Sequence, residues 1–209
     1  MTFCVTMQPA NPTKTMFKNP PIVLILASGR GERFLASGGT THKLSASIGE
    51  GVYKKTVLQH TIDAVKASGL PYHVEDAGHP RMGDSIAAAV RQTQDANGWL
   101  VLPADLPLIQ PETLLRVAAA LQTADVVQPV FEQDGEQLRG HPVGFGVVCK
   151  DKLLKLEGNK GAAGVIIAFS AMKLIVTDIG IITDIDTVED LARAEVLLKS
   201  RSFTIRAGI

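Results

Sequence analysis

The chain has 209 residues, of which 45% are hydrophobic, and this length suits a single α/β domain with a sizeable core. Its 21 basic and 21 acidic side chains balance, which disfavours nucleic acid and membrane surfaces as partners, and no apolar run reaches the roughly 18 residues that span a bilayer. The two cysteines, Cys4 and Cys149, are far apart and form no metal or redox motif, which indicates a reducing, cytoplasmic setting.

Strand and helix signals alternate along most of the chain. Residues 1–20 are polar and aperiodic and lack the apolar segment of a signal peptide, so we expect a flexible tail at 1–20 and a single domain at 21–209. Strands are predicted at residues 21–27, 70–75, 99–103, 125–131, 142–149, 173–177 and 181–185. Helices are predicted at residues 56–68, 84–95, 111–121, 151–156, 160–169 and 187–200. This alternation predicts a mostly parallel sheet with helices on both faces.

Several residues mark the ends of these elements. Thr56 is the expected N-cap of the first helix and Gly69 its stop. Asp84 or Ser85 is the expected cap of the second helix. An Asp-Gly turn at 134–135 is expected to join the fourth and fifth strands.

The first strand opens into a loop that contains two glycines and two arginines. Its residues are Leu26, Ala27, Ser28, Gly29, Arg30, Gly31, Glu32 and Arg33. Glycine lets backbone N–H groups approach an anion, arginine donates charge-assisted hydrogen bonds to phosphate oxygens, and Lys43 adds a point charge. The dinucleotide fingerprint is absent because Phe34 stands where a third glycine is needed, and there is no Walker motif. The loop indicates a phosphate site, with an ordinary glycine turn as the alternative.

Carboxylates follow two of the predicted strands. Asp105 comes just after the third strand, and Asp184 and Asp186 lie at the end of the last one, on one side if the chain is still extended there. Ligands of such sheets bind at the carboxyl ends of the strands, and Mg²⁺ takes one or two carboxylates from a protein. The alternatives are turn roles for Asp105 and Asp184 and, for Asp186, capping of the last helix with Glu189 in the capping-box position.

Three further segments combine glycine with polar side chains. Residues 81–85 precede a helix whose amides can bind an anion or a polar base edge, but for this segment taken alone simple capping by Asp84 or Ser85 is the favoured explanation. Gly140 and His141 lie in a glycine-dense segment that indicates close approach to a ligand. His141 suits a wall or positioning role rather than a general base, because no carboxylate is near it in sequence. Lys160 lies at either a helix-start anion site or a plain interhelix turn.

The order of these segments is informative. Residues 26–33, 82–85, 105–107, 140–145, 159–162 and 184–191, together with Lys43, follow the order of similar segments in the molybdenum-cofactor nucleotidyltransferases. The chain resembles that family from about residue 21 to residue 198. Its Met-Gly-x-Ser segment at 82–85 is more similar to the cytidylyltransferase branch than to the guanylyltransferase branch.

The resemblance implies a Rossmann-like three-layer α/β/α fold and a Mg²⁺-dependent reaction. A nucleoside monophosphate, CMP from CTP by preference, would pass to a phosphorylated acceptor such as molybdopterin, with release of pyrophosphate. The residues that would bind the nucleotide are Leu26, Ala27, Ser28, Gly29, Arg30, Gly31, Gly83, Asp84 and Ser85. The catalytic residues would be Arg33, Lys43 and Asp105, the metal ligands Asp105, Asp184 and Asp186, and the acceptor-side residues Gly140, His141 and Lys160. We expect no nucleic-acid or membrane partner and a monomer or weak homo-oligomer.

The chain also departs from the family pattern. The family usually has other residues at five positions, which are Ser28, Arg81, Ala89, Ala104 and Asn159. Residues 34–42 resemble an insertion, and the stretch between Gly69 and Met82 has room for one strand only, so a β–α unit is expected to be missing. Alternatives are therefore another sugar- or alcohol-phosphate nucleotidyltransferase, a glycosyltransferase that uses the Asp-x-Asp at 184–186, and a non-catalytic nucleotide-binding protein.

Overall fold

A computed structural model describes residues 19–51 and 54–206, with side chains as far as Arg201. The tail expected at 1–20 lies, except for its last two residues, outside this range. The strands are β1 (Ile22–Leu26), β2 (Ser47–Ile48), β3 (Lys55–Thr56), β4 (Tyr72–Glu75), β5 (Gly98–Pro103), β6 (Val126–Gln133), β7 (Glu136–Arg139), β8 (Val143–Gly146) and β9 (Met172–Val176). The α-helices are α1 (Glu32–Ala36), α2 (Val57–Ser68), α3 (Met82–Gln92), α4 (Pro111–Ala120), α5 (Lys150–Leu154), α6 (Ala163–Ala168) and α7 (Val188–Arg206).

The main sheet has seven strands and is mostly parallel. β4, β1 and β5 are parallel neighbours, β8 pairs antiparallel with both β5 and β6, and β9 pairs parallel with β6. β7 extends the sheet as an antiparallel partner of β6, while β2 and β3 form a separate pair. The predicted α/β class with a mostly parallel sheet is confirmed. Among the described helices, none is both long enough and apolar enough to cross a membrane.

Two hydrophobic clusters lie on the two faces of the sheet. Successive side chains of a strand point to opposite faces, so Val23 and Ile25 of β1 join one cluster and Leu24 joins the other. The first cluster packs under α2, α4 and α7, and the second packs under α3, α5 and α6. The fully buried Trp99 of β5 belongs to the second cluster. Helices on both faces give the expected three layers and leave the strand ends for the site.

The caps of α2 were predicted correctly, whereas those of α3 were not. The Thr56 hydroxyl accepts a hydrogen bond from the Gln59 N–H, and Gly69 ends the helix with a φ of 71°. α3 begins at Met82, two residues before the predicted start, and its N-cap Arg81 makes no side-chain cap bond. Asp84 is engaged by Arg81 instead of capping the helix.

The predicted strand at 181–185 is wrong. Residues Ile179–Ile182 form a 3₁₀ helix, because the Asp178 carboxylate accepts the Gly180 N–H two residues later and turns the chain. Gly180 also packs against the Leu108 backbone so tightly that a Cβ atom would not fit there. Apolar residues at 179–182 therefore fill the core from a turn rather than from a strand.

The fifth predicted strand is also corrected. The Asp-Gly turn joins β6 to β7, a short polar strand that hydrophobic periodicity does not reveal. β8 then ends at Gly146, and Val147–Cys149 is a 3₁₀ helix. The strand predicted over 142–149 is thus half as long as expected.

The region expected to lack a β–α unit is short in the structure as well. β4 forms the edge of the main sheet beside β1, and residues 76–81 link it directly to α3. In the described part of the chain no strand lies beyond β4 in this sheet.

Candidate active site

A cavity of about 750 Å³ lies at the carboxyl ends of β1 and β5. An adjoining cavity of about 480 Å³ extends it along the glycine loop. Predicted site residues that line the larger cavity are Leu26, Ser28, Gly29, Arg30, Lys43, Ser85, Asp105, His141, Asp184 and Asp186. Gly31 and Arg33 line the smaller one. Segments far apart in sequence therefore converge on one cleft, as parallel strand ends require.

The glycine loop is held from two sides. The Ala27 N–H and the Ser28 hydroxyl donate to the Glu75 carbonyl at the end of β4, at 2.8 and 3.3 Å. On the other side His42 Nε2 donates to the Gly29 carbonyl at 2.8 Å, while its Nδ1 accepts the Leu44 N–H. These two bonds fix the ring as the neutral tautomer with a proton on Nε2. The loop conformation is thus set by contacts that do not involve a ligand.

Gly31 is a position where the backbone requires glycine. It precedes α1 with a φ of 66°, in the left-handed region. A Cβ atom there would also lie 3.3 Å from the His42 ring. The loop therefore turns sharply into α1 and brings Arg33, on the first turn of that helix, back toward the cleft.

Lys43 is the centre of the charged part of the site. Its Nζ donates to Asp105 Oδ2 at 2.6 Å and to Asp186 Oδ1 at 2.8 Å. The side chains of Lys43 and Asp105 are only 12% and 16% exposed. Arg33 Nη1 reaches the other oxygen of Asp186 at 2.9 Å but is 82% exposed. Two cations and two carboxylates thus form one chain of ion pairs that ends in the cleft.

The protonation of these groups follows from their neighbours. Burial alone would lower the pKa of Lys43, but the charge and hydrogen bonds of Asp105 and Asp186 outweigh it and hold that pKa above its usual value. The hydrogen bond from Lys43 lowers the pKa of Asp186. Burial, reinforced by the Asp105 and Asp186 charges, raises the pKa of Asp184. At neutral pH Lys43 is therefore charged, whereas the surroundings of Asp184 disfavour its negative charge.

Asp186 is available for these ion pairs because another residue caps α7. Thr187 and Asp190 cap the helix reciprocally: the Asp190 carboxylate accepts the Thr187 N–H at 2.9 Å, and the Thr187 hydroxyl accepts the Asp190 N–H at 3.2 Å. The predicted alternative was a capping box of Asp186 with Glu189, but the observed box of Thr187 with Asp190 lies one residue later. The Asp186 carboxylate accepts from Lys43 instead.

Two buried polar atoms on the cavity wall are unpaired. Asp105 Oδ1 and His141 Nδ1 have no hydrogen-bond partner among the described residues. Burial lowers the pKa of His141, and the Val101 backbone and the Asp105 charge do not offset this, so its ring is neutral at pH 7. Buried polar atoms without partners cost free energy unless a ligand or water satisfies them. Both atoms therefore mark places where a ligand can bind.

Gly140 is required by packing against the 3₁₀ helix that follows β9. The His141 N–H donates to the Ile181 carbonyl at 3.0 Å, which draws the two segments together. A Cβ atom at Gly140 would lie 2.5 Å from that carbonyl oxygen. Gly140 thus lets His141 reach the wall of the cavity.

The segment at the start of α3 has mixed roles. Ser85 is buried and lines the larger cavity. Gly83 packs against the backbone of Glu157, where a Cβ atom would lie 2.7 Å from the nearest atom, so helix packing explains that glycine. Arg81, one of the five departures from the family pattern, lines both cavities and pairs with Asp84 at 2.8 Å.

Lys160 lies outside the cleft. It is exposed in the turn between α5 and α6 and belongs to neither cavity wall, although its neighbour Asn159 lines the smaller one. His42, in contrast, holds the glycine loop and was missed by the sequence analysis. His42 was overlooked because residues 34–42 were interpreted as an insertion, although its position next to Lys43 could have indicated a role in the site.

The site offers a divalent metal ion few protein ligands. In the described part of the chain no three His, Cys, Asp or Glu side chains are arranged to hold a metal ion. Mg²⁺, however, needs only one or two protein carboxylates when phosphate and water supply the other oxygens. The unpaired Asp105 Oδ1 and the Asp184 carboxylate, which both line the larger cavity, can provide such ligands. The residues present therefore suit a metal that also binds a phosphorylated ligand.

Part of the chain is similar in sequence to a curated protein. The bifunctional protein GlmU of Halorhodospira halophila is 28% identical over 151 residues, which cover 63% of this chain and 29% of that protein. The chain spans less than a third of the length of the curated relatives it matches.

Solved structures share the fold at low sequence identity. Mth528, a nucleotidyl transferase from Methanothermobacter thermautotroptrophicus, has a TM-score of 0.66 at 20% identity, covering 87% of this chain and 99% of that one. The manganese complex of Rv0371c from Mycobacterium tuberculosis H37Rv has a TM-score of 0.59 at 20% identity, covering 84% of this chain and 97% of that one. At these identities the likeness shows the fold alone.

A family model for the MobA-like NTP transferase domain matches residues 63–172, just over half of the chain. The matched range includes Asp105 and His141, while Lys43 lies before it and Asp186 after it. The chain therefore belongs to the MobA-like NTP transferase domain family.

Proposed function

We propose that the chain transfers a nucleoside monophosphate, by preference CMP from CTP, to a phosphorylated small molecule and releases pyrophosphate. An acceptor of the molybdopterin type is the one we favour. The observation that supports this best is the Lys43 ammonium between Asp105 and Asp186, in a cleft that the glycine–arginine loop also lines. The CTP preference rests on the Met-Gly-x-Ser segment at 82–85.

The loop and its cations would hold the triphosphate. Gly29, Arg30, Gly31 and Arg33 line one lobe of the cleft. Their backbone N–H and guanidinium groups would bind phosphate oxygens. Because His42 and β4 already fix this loop, little ordering is required when the anion binds. Ser85, at the start of α3, would contact the base or ribose.

Lys43 would stabilise the charge that develops during transfer. An oxygen of the acceptor phosphate forms a bond to the α-phosphorus while the bond from that phosphorus to the bridging oxygen breaks, and pyrophosphate takes the electron pair. Such a step depends on positioning and charge stabilisation rather than on a nucleophilic side chain. The chain supplies these through a nearly buried ammonium.

Asp105, with Asp184 or Asp186, would hold Mg²⁺. When bound, the ion neutralises phosphate charge. The neutral His141 and the neighbouring Gly140 would border the acceptor, with His141 Nδ1 available for one hydrogen bond. Lys160, which is outside the cleft, leaves the acceptor side to these two residues.

A thermal-shift panel of CTP, GTP, ATP and UTP, each with and without Mg²⁺, tests the donor site. A ligand present at about 100 times its Kd adds roughly 2.7 kcal/mol, and for a domain of this size we expect a rise of roughly 5–10 °C in Tm. The rise should need Mg²⁺, should be largest with CTP, and should be lost in Asp105→Asn. Release of pyrophosphate in the presence of phosphorylated acceptors then tests transfer.

The outcomes separate the alternatives. A rise in Tm without pyrophosphate release for any acceptor would favour a non-catalytic nucleotide-binding protein. Release with a sugar or alcohol phosphate instead of a pterin phosphate would favour another nucleotidyltransferase of this fold. The absence of any shift with all four nucleotides would contradict the proposal.

A further inference from the structure

Lys43 occupies the place where two carboxylates of the site converge. Its Nζ is within hydrogen-bond distance of both Asp105 and Asp186, and all three side chains line the larger cavity. A divalent cation bound to Asp105, either at Oδ2 or at the unpaired Oδ1, would meet this ammonium at close range. Like charges so near one another repel strongly where water screens them poorly.

The carboxylates alone also make an incomplete site for a bare ion. No group of three potential metal-binding side chains is arranged to hold one in the part of the chain that is described. A hard cation with one or two protein carboxylates completes its shell with water and phosphate oxygens. A triphosphate in the cleft would supply such oxygens and would also offer the Lys43 ammonium new anionic partners.

We propose that Lys43 makes the site select the metal–nucleotide complex over the free metal ion. The inference rests on the proposed function and specifies how its metal site is filled. Without nucleotide the ammonium remains on Asp105 and Asp186, and the free ion binds weakly. With a triphosphate present the ammonium pairs with phosphate oxygens, and its positive charge no longer opposes the ion at Asp105.

Arg33 provides a matched control within the same cluster. It also pairs with Asp186, at 2.9 Å, but it is largely exposed, and its one ion pair in the site is on the outer oxygen of that carboxylate. Water screens an exposed pair far more than a nearly buried one. Removal of Arg33 should therefore change metal affinity little, whereas removal of Lys43 should change it greatly.

The test is a Mn²⁺ titration of the full chain followed by electron paramagnetic resonance, with no nucleotide present. We expect Lys43→Met to bind Mn²⁺ at least about tenfold more tightly than the wild type, from the loss of a like charge at close range. Arg33→Met should stay close to the wild type. The double variant Lys43→Met/Asp105→Asn should lose the gain. Lys43→Gln, which keeps a polar donor near the carboxylates, replaces Lys43→Met if circular dichroism shows that variant to be unfolded.

Equal Mn²⁺ affinity of the wild type and a folded Lys43 variant would overturn the inference. So would an equal gain in Arg33→Met, because any lost positive charge would then explain the result. Because the titration contains no nucleotide, the measured Mn²⁺ affinity does not depend on whether the chain binds or transfers a nucleotide. The two proposals can therefore fail separately.

Discussion

At the scale of single residues, Lys43 is held in the cleft by its contacts with two carboxylates. Lys43 combines low exposure, two short carboxylate contacts and a raised pKa, so its charge is fixed in place before any ligand arrives. Preorganised charge of this kind stabilises a transition state without the cost of reorienting water. Removing it is therefore expected to lower the rate, in addition to the stability that is lost when Asp105 keeps no cationic partner.

Lys43→Ala should lower kcat by about 10²–10³-fold, the range observed when one preorganised charge-stabilising group is removed. Pyrophosphate release at saturating nucleotide measures this. The matched control is Lys155→Ala, at an exposed lysine after α5, which should keep the wild-type rate. An unchanged kcat in Lys43→Ala would remove this residue from the proposed mechanism.

Gly140→Ala should destabilise the fold by about 1–3 kcal/mol, because the added Cβ would overlap the Ile181 carbonyl and either segment must shift. Gly164→Ala in α6 is the control. A Cβ at Gly164 meets nothing within 4 Å, so the change should stabilise by about 0.5–1 kcal/mol through helix propensity. Urea unfolding of the two variants compares them directly. Equal effects of the two substitutions would refute the packing argument for Gly140.

At the scale of elements, Asp178 ties together three segments that frame the site. Its buried carboxylate accepts from the Gln110 N–H and the Thr113 hydroxyl at the start of α4, and from the Gly180 N–H in the 3₁₀ helix. Arg201 of α7 donates to it at 3.1 Å. The path of the chain from β9 to Asp184 therefore depends on one side chain.

Asp178→Ala should cost about 3–5 kcal/mol, since it leaves the Arg201 charge and several buried donors without their partner. Denaturant unfolding measures this loss. Arg201→Ala should cost less, because three neutral donors still satisfy the carboxylate. A loss below 1 kcal/mol in Asp178→Ala would show that water replaces these contacts at little cost.

The sequence predicts elements well where the signals are local. The caps of α2 lie within four residues of the groups they satisfy, and the glycine loop follows directly from a buried strand. The 3₁₀ helix at Ile179–Ile182 instead depends on contacts of Asp178 with α4 and α7, and β7 on pairing with β6. Asp186 was placed near the site but assigned a capping alternative, because its partner Lys43 lies 143 residues away. A contact between residues so far apart in sequence produces no periodic pattern from which it could be predicted.

At the scale of the whole molecule, stability should vary with pH through a buried thiol. Cys149 is fully buried, and burial, with the nearby Asp125 charge, raises its pKa from 9.0 to about 11. The folded state thus keeps the thiol proton at pH values where the unfolded state releases it. For an acid with a raised pKa, stability is complete below the unfolded value and is lost as pH rises toward the folded one.

The wild type should therefore lose about 2–3 kcal/mol more than Cys149→Ala between about pH 8 and 11, given about 1.36 kcal/mol per unit of pKa difference. Guanidinium unfolding at several pH values gives both curves. The cavity left by Cys149→Ala lowers its stability equally at every pH, so only the difference in slope is informative. Parallel curves would mean that the thiolate forms in the folded state at its ordinary pKa.

The order of elements along the chain has a consequence for how the protein is made. All seven strands of the main sheet are encoded before residue 177, whereas Asp184, Asp186 and α7 come after it. Because a chain is synthesised from its amino terminus, every strand is present before the second carboxylate partner of Lys43 exists. A product that ends after β9 would retain the glycine loop, Lys43 and Asp105 but not the acid pair. Completion of the proposed site thus depends on the segment after β9, which carries Asp184, Asp186 and α7.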